Sequence, residues 1–351
     1  MTSVNTLSSA SAANLTRNAP SYIIDLDLPP EERWTCLLAE YKEKLKSLIL
    51  SVEKSLGNSL LVDAAASLLS KLLSTKRFAL YSGEMESIAS AIGVDVGKVV
   101  MLQLAYEMYG ACTSMAFDGD QPVLWRSMDW NVPQLADLTV QLEFQTEGKT
   151  VFRAASWVGY VGVLTGMNRC AAISVNYRRC GDSMWDNLRS AIDSHWPAGF
   201  LVRHVLTNPQ LYSCYKLVQL CLQTEKLIAP TYFVVTGASG GLACLITRDR
   251  AKDLHLLPMS GAGREWSWFQ LPGCLLQTNM DHWLTAEEAP WQDIEWSDYR
   301  RRFAYDWIRT TENSFKNVET LMQTEPIKAP DTIYYSKMCC ATGEMLTKVF
   351  Q

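Results

Sequence analysis

Cys112 stands where a helical pattern gives way to a strand pattern, in Ala111-Cys112-Thr113-Ser114, and the chain returns soon afterwards through Arg126-Ser127-Met128-Asp129-Trp130. A thiol attacks as its thiolate, and a guanidinium beside it lowers the pKa that controls this. Apolar runs at 113–117 and 123–128 flank Asp118-Gly119-Asp120, a hairpin signal that brings Arg126 and Asp129 back beside Cys112. The local set has no histidine to act as base. Cleavage between Ala111 and Cys112 supplies one, because the new α-amine has an ordinary pKa of about 7.7–8.0. Thiol and base then sit on the same residue. The cut can be self-catalysed: the Cys112 thiol attacks the Ala111 carbonyl and water hydrolyses the thioester. Asp129 is expected to orient the amine and Arg126 to hold the thiolate.

Other candidates carry weaker chemistry. Gly237-Ala238-Ser239-Gly240-Gly241 lacks the Lys-Ser/Thr of a phosphate loop and precedes a strand, so it reads as a turn. His282, in Asp281-His282-Trp283, is a possible base, although a lone histidine beside an aromatic more often packs. The ten cysteines show no Cys-x-x-Cys, and no histidine pair has zinc spacing. No metal or other cofactor is therefore expected, and most cysteines read as small core residues.

Positioning these groups requires a large folded unit. With 48% hydrophobic and 20% charged residues in 351, the chain can bury a sizeable core. Its 32 basic against 37 acidic residues argue against a nucleic-acid partner. Residues 1–20 read as a disordered tail without an apolar leader, which points to a cytoplasmic protein. A short strand at 21–27 precedes amphipathic helices at 31–57 and 59–76 and a broken one from 84 to Tyr109-Gly110. The apolar faces of these helices suit a core or a membrane surface. Beyond 111, hairpins are expected at 113–128, 138–157 and 160–176, then helices at 184–193, 199–206 and 209–223. Strands at 231–236, 242–247 and 275–278, helices at 299–311 and 318–323, and strands at 332–335 and 345–350 complete the chain. The order implies an α+β fold of stacked antiparallel sheets with helices on the outer faces, divided at residue 111.

Five segments recur together. Tyr22 to Trp34, Cys112-Thr113-Ser114, Arg126 to Trp130, Gln277 to Trp283 and Asp298-Tyr299-Arg300-Arg301 resemble the acid ceramidase and N-acylethanolamine-hydrolysing acid amidase family. The resemblance implies an N-terminal-nucleophile hydrolase with an αββα sandwich. It also implies autocleavage into a helical small (α) subunit, 21–111, and a catalytic large (β) subunit, 112–351, held as a non-covalent heterodimer. The reaction implied is attack on the amide of a fatty acyl amine through an acyl-Cys112 thioester. An acyltransferase giving the same thioester to an amine, or an inactive lipid-binding protein, are the alternatives. By position, Cys112 resembles the nucleophile, Arg126 and Asp129 its charged partners, and Asn279 the oxyanion donor. Arg300 or Arg301 resembles a distal arginine. Arg301 is placed with the catalytic set, and Arg300 with substrate binding beside Tyr177, Asn176, Trp130 and His282. Tyr177 departs from the acidic residue often found there, which puts the amine partner in question.

Overall fold

The computed structural model describes residues 16–55, 59–107, 110–181, 184–259, 271–312 and 316–351. Ten helices and fourteen strands are set out among them. Helices α1 (Thr35–Ser55), α2 (Ser59–Ser70), α3 (Ser82–Ile92) and α4 (Val96–Leu104) follow two short strands, β1 (Thr16–Asn18) and β2 (Ser21–Asp25). The glycines between and inside these helices have separate reasons. Gly93 ends α3 in the left-handed region, with φ of 69°, where a side chain is strained. A Cβ on Gly97 would lie 1.9 Å from the Ala66 carbonyl oxygen, so only glycine lets α2 and α4 approach this closely.

Strands β3 (Ala111–Phe117), β4 (Val123–Asp129), β12 (Cys274–Gln277), β13 (Thr332–Cys339) and β14 (Glu344–Phe350) join β1 in one sheet, ordered β1-β14-β13-β4-β3-β12. Strands β5 (Thr139–Thr146), β6 (Lys149–Trp157), β7 (Thr165–Met167), β8 (Ala171–Tyr177), β9 (Thr231–Gly237), β10 (Ala243–Arg248) and β11 (Asp253–Pro258) join β2 in the other. Its order is β11-β10-β9-β8-β7-β6-β5-β2. The two sheets meet through β3 and β4 on one side and β8 and β9 on the other. Helices α7 (Ala198–Thr207) and α8 (Tyr215–Thr224) cover the larger sheet, preceded in the chain by α6 (Met184–Ile192). Helix α5 (Gln134–Leu138) packs against α1. On the outer face of the smaller sheet, Met115, Trp125 and Tyr335 pack with Ala304 and Ile308 of α9 (Ser297–Thr310) and Leu321 of α10 (Val318–Met322). This is the expected α+β sandwich of two sheets between helical layers.

Several expectations need correction. Residues 16–18 belong to no disordered tail: Thr16, Arg17 and Asn18 pair with Phe350, Val349 and Lys348; residues 1–15 lie outside the described residues. The sheets are not wholly antiparallel, since β2 runs parallel to β5. Residues 160–164 are not a strand, and the first strand of this expected hairpin is only β7, Thr165–Met167. Helix α8 begins at Tyr215, not Pro209, and β11 is an addition to the expected strands. The end expected for the broken helix, Tyr109, lies outside the described residues, while Gly97 falls inside α4, whose N-cap is Asp95.

One of the ties between the helices ahead of residue 111 and the rest is a buried charge. The Glu84 carboxylate, wholly inaccessible, accepts hydrogen bonds from Arg203 of α7 at 2.7 and 2.8 Å, from Trp34 Nε1 at 2.7 Å and from Arg33 at 3.0 Å. Burial alone would raise its pKa, but the Arg203 charge and these hydrogen bonds bring it below the usual carboxylate range. Glu84→Ala leaves two arginines without their anion, and removing one partner of a buried pair costs about 3–5 kcal/mol. The expected result is a lower urea midpoint at unchanged m-value; an unaltered midpoint would show that the pair is dispensable.

Candidate active site

Antiparallel register sets Cys112 opposite Met128, Ser114 opposite Arg126 and Ala111 opposite Asp129. Alternation along a strand then sorts these residues to two faces. Cys112, Ser114, Arg126 and Met128 point inward between the sheets, while Thr113, Ser127 and Asp129 point outward toward α9. The thiol and guanidinium meet on the inner face, with Arg126 Nη2 3.1 Å from Cys112 Sγ. The Tyr106 hydroxyl lies 3.3 Å from the same sulfur and donates to the Val175 carbonyl. Arg126 also donates to Thr165, to the Tyr334 hydroxyl and to the Val175 carbonyl, at 2.6, 2.7 and 3.0 Å. None of these partners is a carboxylate, although the guanidinium is completely buried. Burial pushes the Cys112 thiol up and the Arg126 charge pulls it back, leaving it above its ordinary value. A thiolate would supply the anion this cation lacks.

Asp129 does not touch Cys112. On the outer face it accepts from Arg300 Nη1 at 2.8 Å and from the Thr332 hydroxyl at 2.7 Å. Burial pushes its carboxyl up to about 6 against the pull of Arg300. Arg300 carries the connection onward, donating to Thr113 Oγ1 at 3.0 Å and to Asn279 Oδ1 at 3.1 Å. Asn279 Oδ1 in turn accepts the Cys112 backbone N–H at 2.7 Å, and Asn279 Nδ2 donates to the carbonyls of Gly110 at 3.1 Å and Tyr177 at 2.9 Å. Two donors on one end and two carbonyls on the other leave a single orientation for this amide. Asn279 thus spans the Gly110–Cys112 segment, holding the nitrogen that cleavage would convert to an amine.

The remaining residues are distributed as follows. Arg301, expected in the catalytic set, faces away; it donates to the carbonyls of Asp281 and Leu284 and to Asp298. Adjacent helix positions point about 100° apart, so only one of the two arginines reaches β3. Arg300 is that one, and its partners make it part of the charge network instead of a substrate contact. Asn176 is buried, accepting from Ser114 and donating to the carbonyls of Gln277 and Thr278, which ties the Asn279 loop to β8. Trp130 packs edge-on to Tyr106 and Trp157 and lines an apolar cavity of about 300 Å³ that α1, α2 and α4 also wall, through Leu48, Val62 and Leu102. Tyr177 lines a separate polar cavity of about 390 Å³. Among the described residues, no three His, Cys, Asp or Glu side chains converge as metal ligands. Sequence reasoning missed Tyr106, Thr165, Tyr334 and Thr332. Tyr106 alone left a trace, as a polar tip in an apolar helical run six residues before the cysteine.

His282 is no base for Cys112. It is buried against His255 and Trp283, and among the described residues neither ring nitrogen has a hydrogen-bond partner. Burial, then the neighbouring His255, pushes its pKa down to about 3. The unfolded side chain titrates near 6.5, so its contribution to stability is complete above about 6.5 and is lost as pH falls toward 3. Between pH 7 and pH 5 this one residue is expected to remove about 2 kcal/mol. His282→Phe should flatten that part of the stability profile, measured by urea unfolding at both pH values; an unchanged slope would assign the acid sensitivity elsewhere.

Comparison with known proteins supplies the family. A family model described as the beta subunit of N-acylethanolamine-hydrolyzing acid amidase matches residues 17–76. Acid ceramidase of Pan troglodytes is 30% identical over 93% of this chain and 85% of its own length. Acid ceramidase of Mus musculus is 29% identical over 93% and 84%. Among solved structures, a Caenorhabditis elegans N-acylethanolamine-hydrolyzing acid amidase ortholog superposes with a TM-score of 0.52 at 21% identity, covering 66% of this chain and 93% of that one. The chain therefore belongs to the acid ceramidase and N-acylethanolamine-hydrolysing acid amidase family, with its N-terminal-nucleophile fold.

Proposed function

We propose that the protein is an autoprocessed cysteine amidase that cleaves fatty acyl amides through an acyl-Cys112 thioester. The observation that carries this reading is the contact between Cys112 Sγ and a buried guanidinium that has no carboxylate partner among the described residues, at the residue whose backbone nitrogen Asn279 holds. In the first step the Cys112 sulfur bonds to the Ala111 carbonyl carbon, and the peptide C–N bond breaks. The thiol proton goes to the departing nitrogen, which becomes the α-amine. Water then hydrolyses the thioester, giving Ala111 a carboxylate and freeing the thiol.

In turnover the α-amine takes the thiol proton, Arg126 holds the thiolate, and the sulfur attacks the substrate carbonyl. Asn279 Nδ2 donates to the Gly110 carbonyl in the uncut chain. Departure of that carbonyl releases the donor for the substrate oxyanion, while Oδ1 keeps the amine in place. The α-amine returns its proton to the leaving amine, and water clears the acyl thioester. Asp129 acts through Arg300 and Asn279, not on the amine directly.

The apolar cavity that Trp130 and Tyr106 connect to the thiol has the lining an acyl chain requires. Its walls include α1 and α2, which also expose Leu50 and Leu68, and this supports contact with a membrane surface. No single helix among the described residues is long and apolar enough to cross a membrane. The relatives named acid ceramidase and the matched amidase model support lipid amides as substrates. That model describes a separate subunit, and calls beta the segment labelled α above. In either lettering it ends before Cys112, which supports the two-fragment form.

Intact mass of denatured protein should show fragments of 111 and 240 residues (351 − 111), and Cys112→Ala should stay whole and form no acyl adduct. One uncut chain for wild type and variant alike would end this reading. Asn279→Ala, scored on its cleaved fraction, is expected to lose about 10²–10³ in kcat, the loss typical of an oxyanion donor.

A further inference from the structure

The lining of the apolar cavity includes two polar groups that the chemistry above leaves unused. Lys98, Met101 and Leu102 of α4 line it, as does Ala105 just after that helix, so the cavity runs along α4. The seven positions from 98 to 105, at about 1.5 Å each, span about 10 Å. Ala105 is the neighbour of Tyr106, whose hydroxyl meets the Cys112 sulfur, so Lys98 marks the end away from the thiol. There Lys98 Nζ pairs with Glu53 Oε1 of α1 at 3.0 Å and with Asp63 of α2 at 2.9 Å. Glu53 also lines the cavity, and its Oε2 is buried with no hydrogen-bond partner among the described residues. Trp157 Nε1, on the β6 wall, is likewise buried without a partner. The Tyr160 hydroxyl is unpaired too, but it is turned to Gly199, where an added Cβ would lie 2.2 Å from it.

We infer that this cavity selects an acyl chain hydroxylated toward its far end, and that Glu53 is the specificity-determining residue that accepts the hydrogen bond of that hydroxyl. The inference rests on the amidase reading and adds the class of acyl chain to it. At roughly 30 Å³ for a group the size of water, the cavity of about 300 Å³ holds about ten chain carbons, which brings the far end of the chain to Glu53. A plain methyl end there would leave a buried carboxylate oxygen without the hydrogen bond that water gives it in the open. A hydroxyl both donates and accepts, so it answers the unpaired oxygen of Glu53, and an oxygen on the chain is also what Trp157 Nε1 lacks. The local charge rejects the other common polar ending. Glu53 and Asp63 set two negative charges against the single positive charge of Lys98, so a terminal carboxylate would be repelled. Lys98 keeps Asp63 when Glu53 is replaced, so the contact can be removed without stranding the cation.

The test uses full-length protein cut at residue 111 and three ethanolamides in detergent micelles: the dodecanoyl amide, its ω-hydroxy analogue and its ω-carboxy analogue. Partition into micelles is the same for every variant, so the quantity read is the hydroxy-to-plain ratio of kcat/KM in each variant against wild type. Glu53→Leu should lower that ratio about tenfold, as loss of one buried hydrogen bond to a charged group would. Asp63→Asn, which loosens Lys98 from outside the lining, should leave the ratio at its wild-type value. With wild-type protein the ω-carboxy analogue should be the poorest of the three. A ratio unmoved by Glu53→Leu, or lowered as far by Asp63→Asn, overturns the assignment while the amidase reading stands. So does an ω-carboxy analogue cleaved as well as the hydroxy one, or a ratio that Trp157→Phe lowers and Glu53→Leu does not. Failure of the cut wild-type protein to cleave any of the three removes the amidase reading and this inference with it.

Discussion

A guanidinium carries its charge at every pH a cell meets, and placing it out of reach of water demands compensation. Arg126 is buried among hydroxyls, a carbonyl and a thiol, with no carboxylate in contact among the described residues. Two other deeply buried arginines each meet a carboxylate, Arg203 with Glu84 and Arg300 with Asp129, while Arg248 is held by the main-chain carbonyls of Leu222, Glu225 and Lys252. In the proposed mechanism Arg126 is the cation that meets the Cys112 thiolate. Its partners come from β3, β7, β8 and β13, so the same demand that readies the site also draws both sheets together around it.

Strand geometry explains how two charges from one short motif do separate jobs. Arg126 and Asp129 are three apart, an odd spacing that sends them to opposite faces of β4. The inner face receives Cys112 and Arg126; the outer face receives an ion pair with α9. Asn279, on the loop after β12, is where the two meet, since its oxygen accepts from both Arg300 and the Cys112 backbone. Removal of charge from the outer pair is therefore felt at the nucleophile through one amide, not through space alone.

Much of this arrangement is legible in the amino-acid sequence. Asp-Gly and Glu-Gly turns mark the hairpins, and the helix-to-strand change marks residue 111. The same period of two that predicts strands also separates Arg126 from Asp129, but proximity in sequence suggests a single charged cluster. Arg300 and Arg301 are indistinguishable by pattern, because both are buried and each finds partners; only the roll of α9 decides which of them meets β3. Residues 16–18 are too few to show a pattern and become a strand only because β14 offers an unpaired edge. Tyr106, Thr165 and Tyr334 lie far apart in sequence, and no spacing rule links groups that assemble around one cation across two sheets.

Residues ahead of the junction supply an outermost strand to each sheet, β1 against β14 in one and β2 against β5 in the other. After a cut at 111 the shorter piece would be a clasp with an arm in either half of the sandwich, and to leave it would have to unzip both at once. A broken peptide bond would then change the mass spectrum and hardly alter the hydrodynamic radius. Size-exclusion profiles would report one unaltered particle, and the event that arms the nucleophile would pass unseen by every method that measures shape.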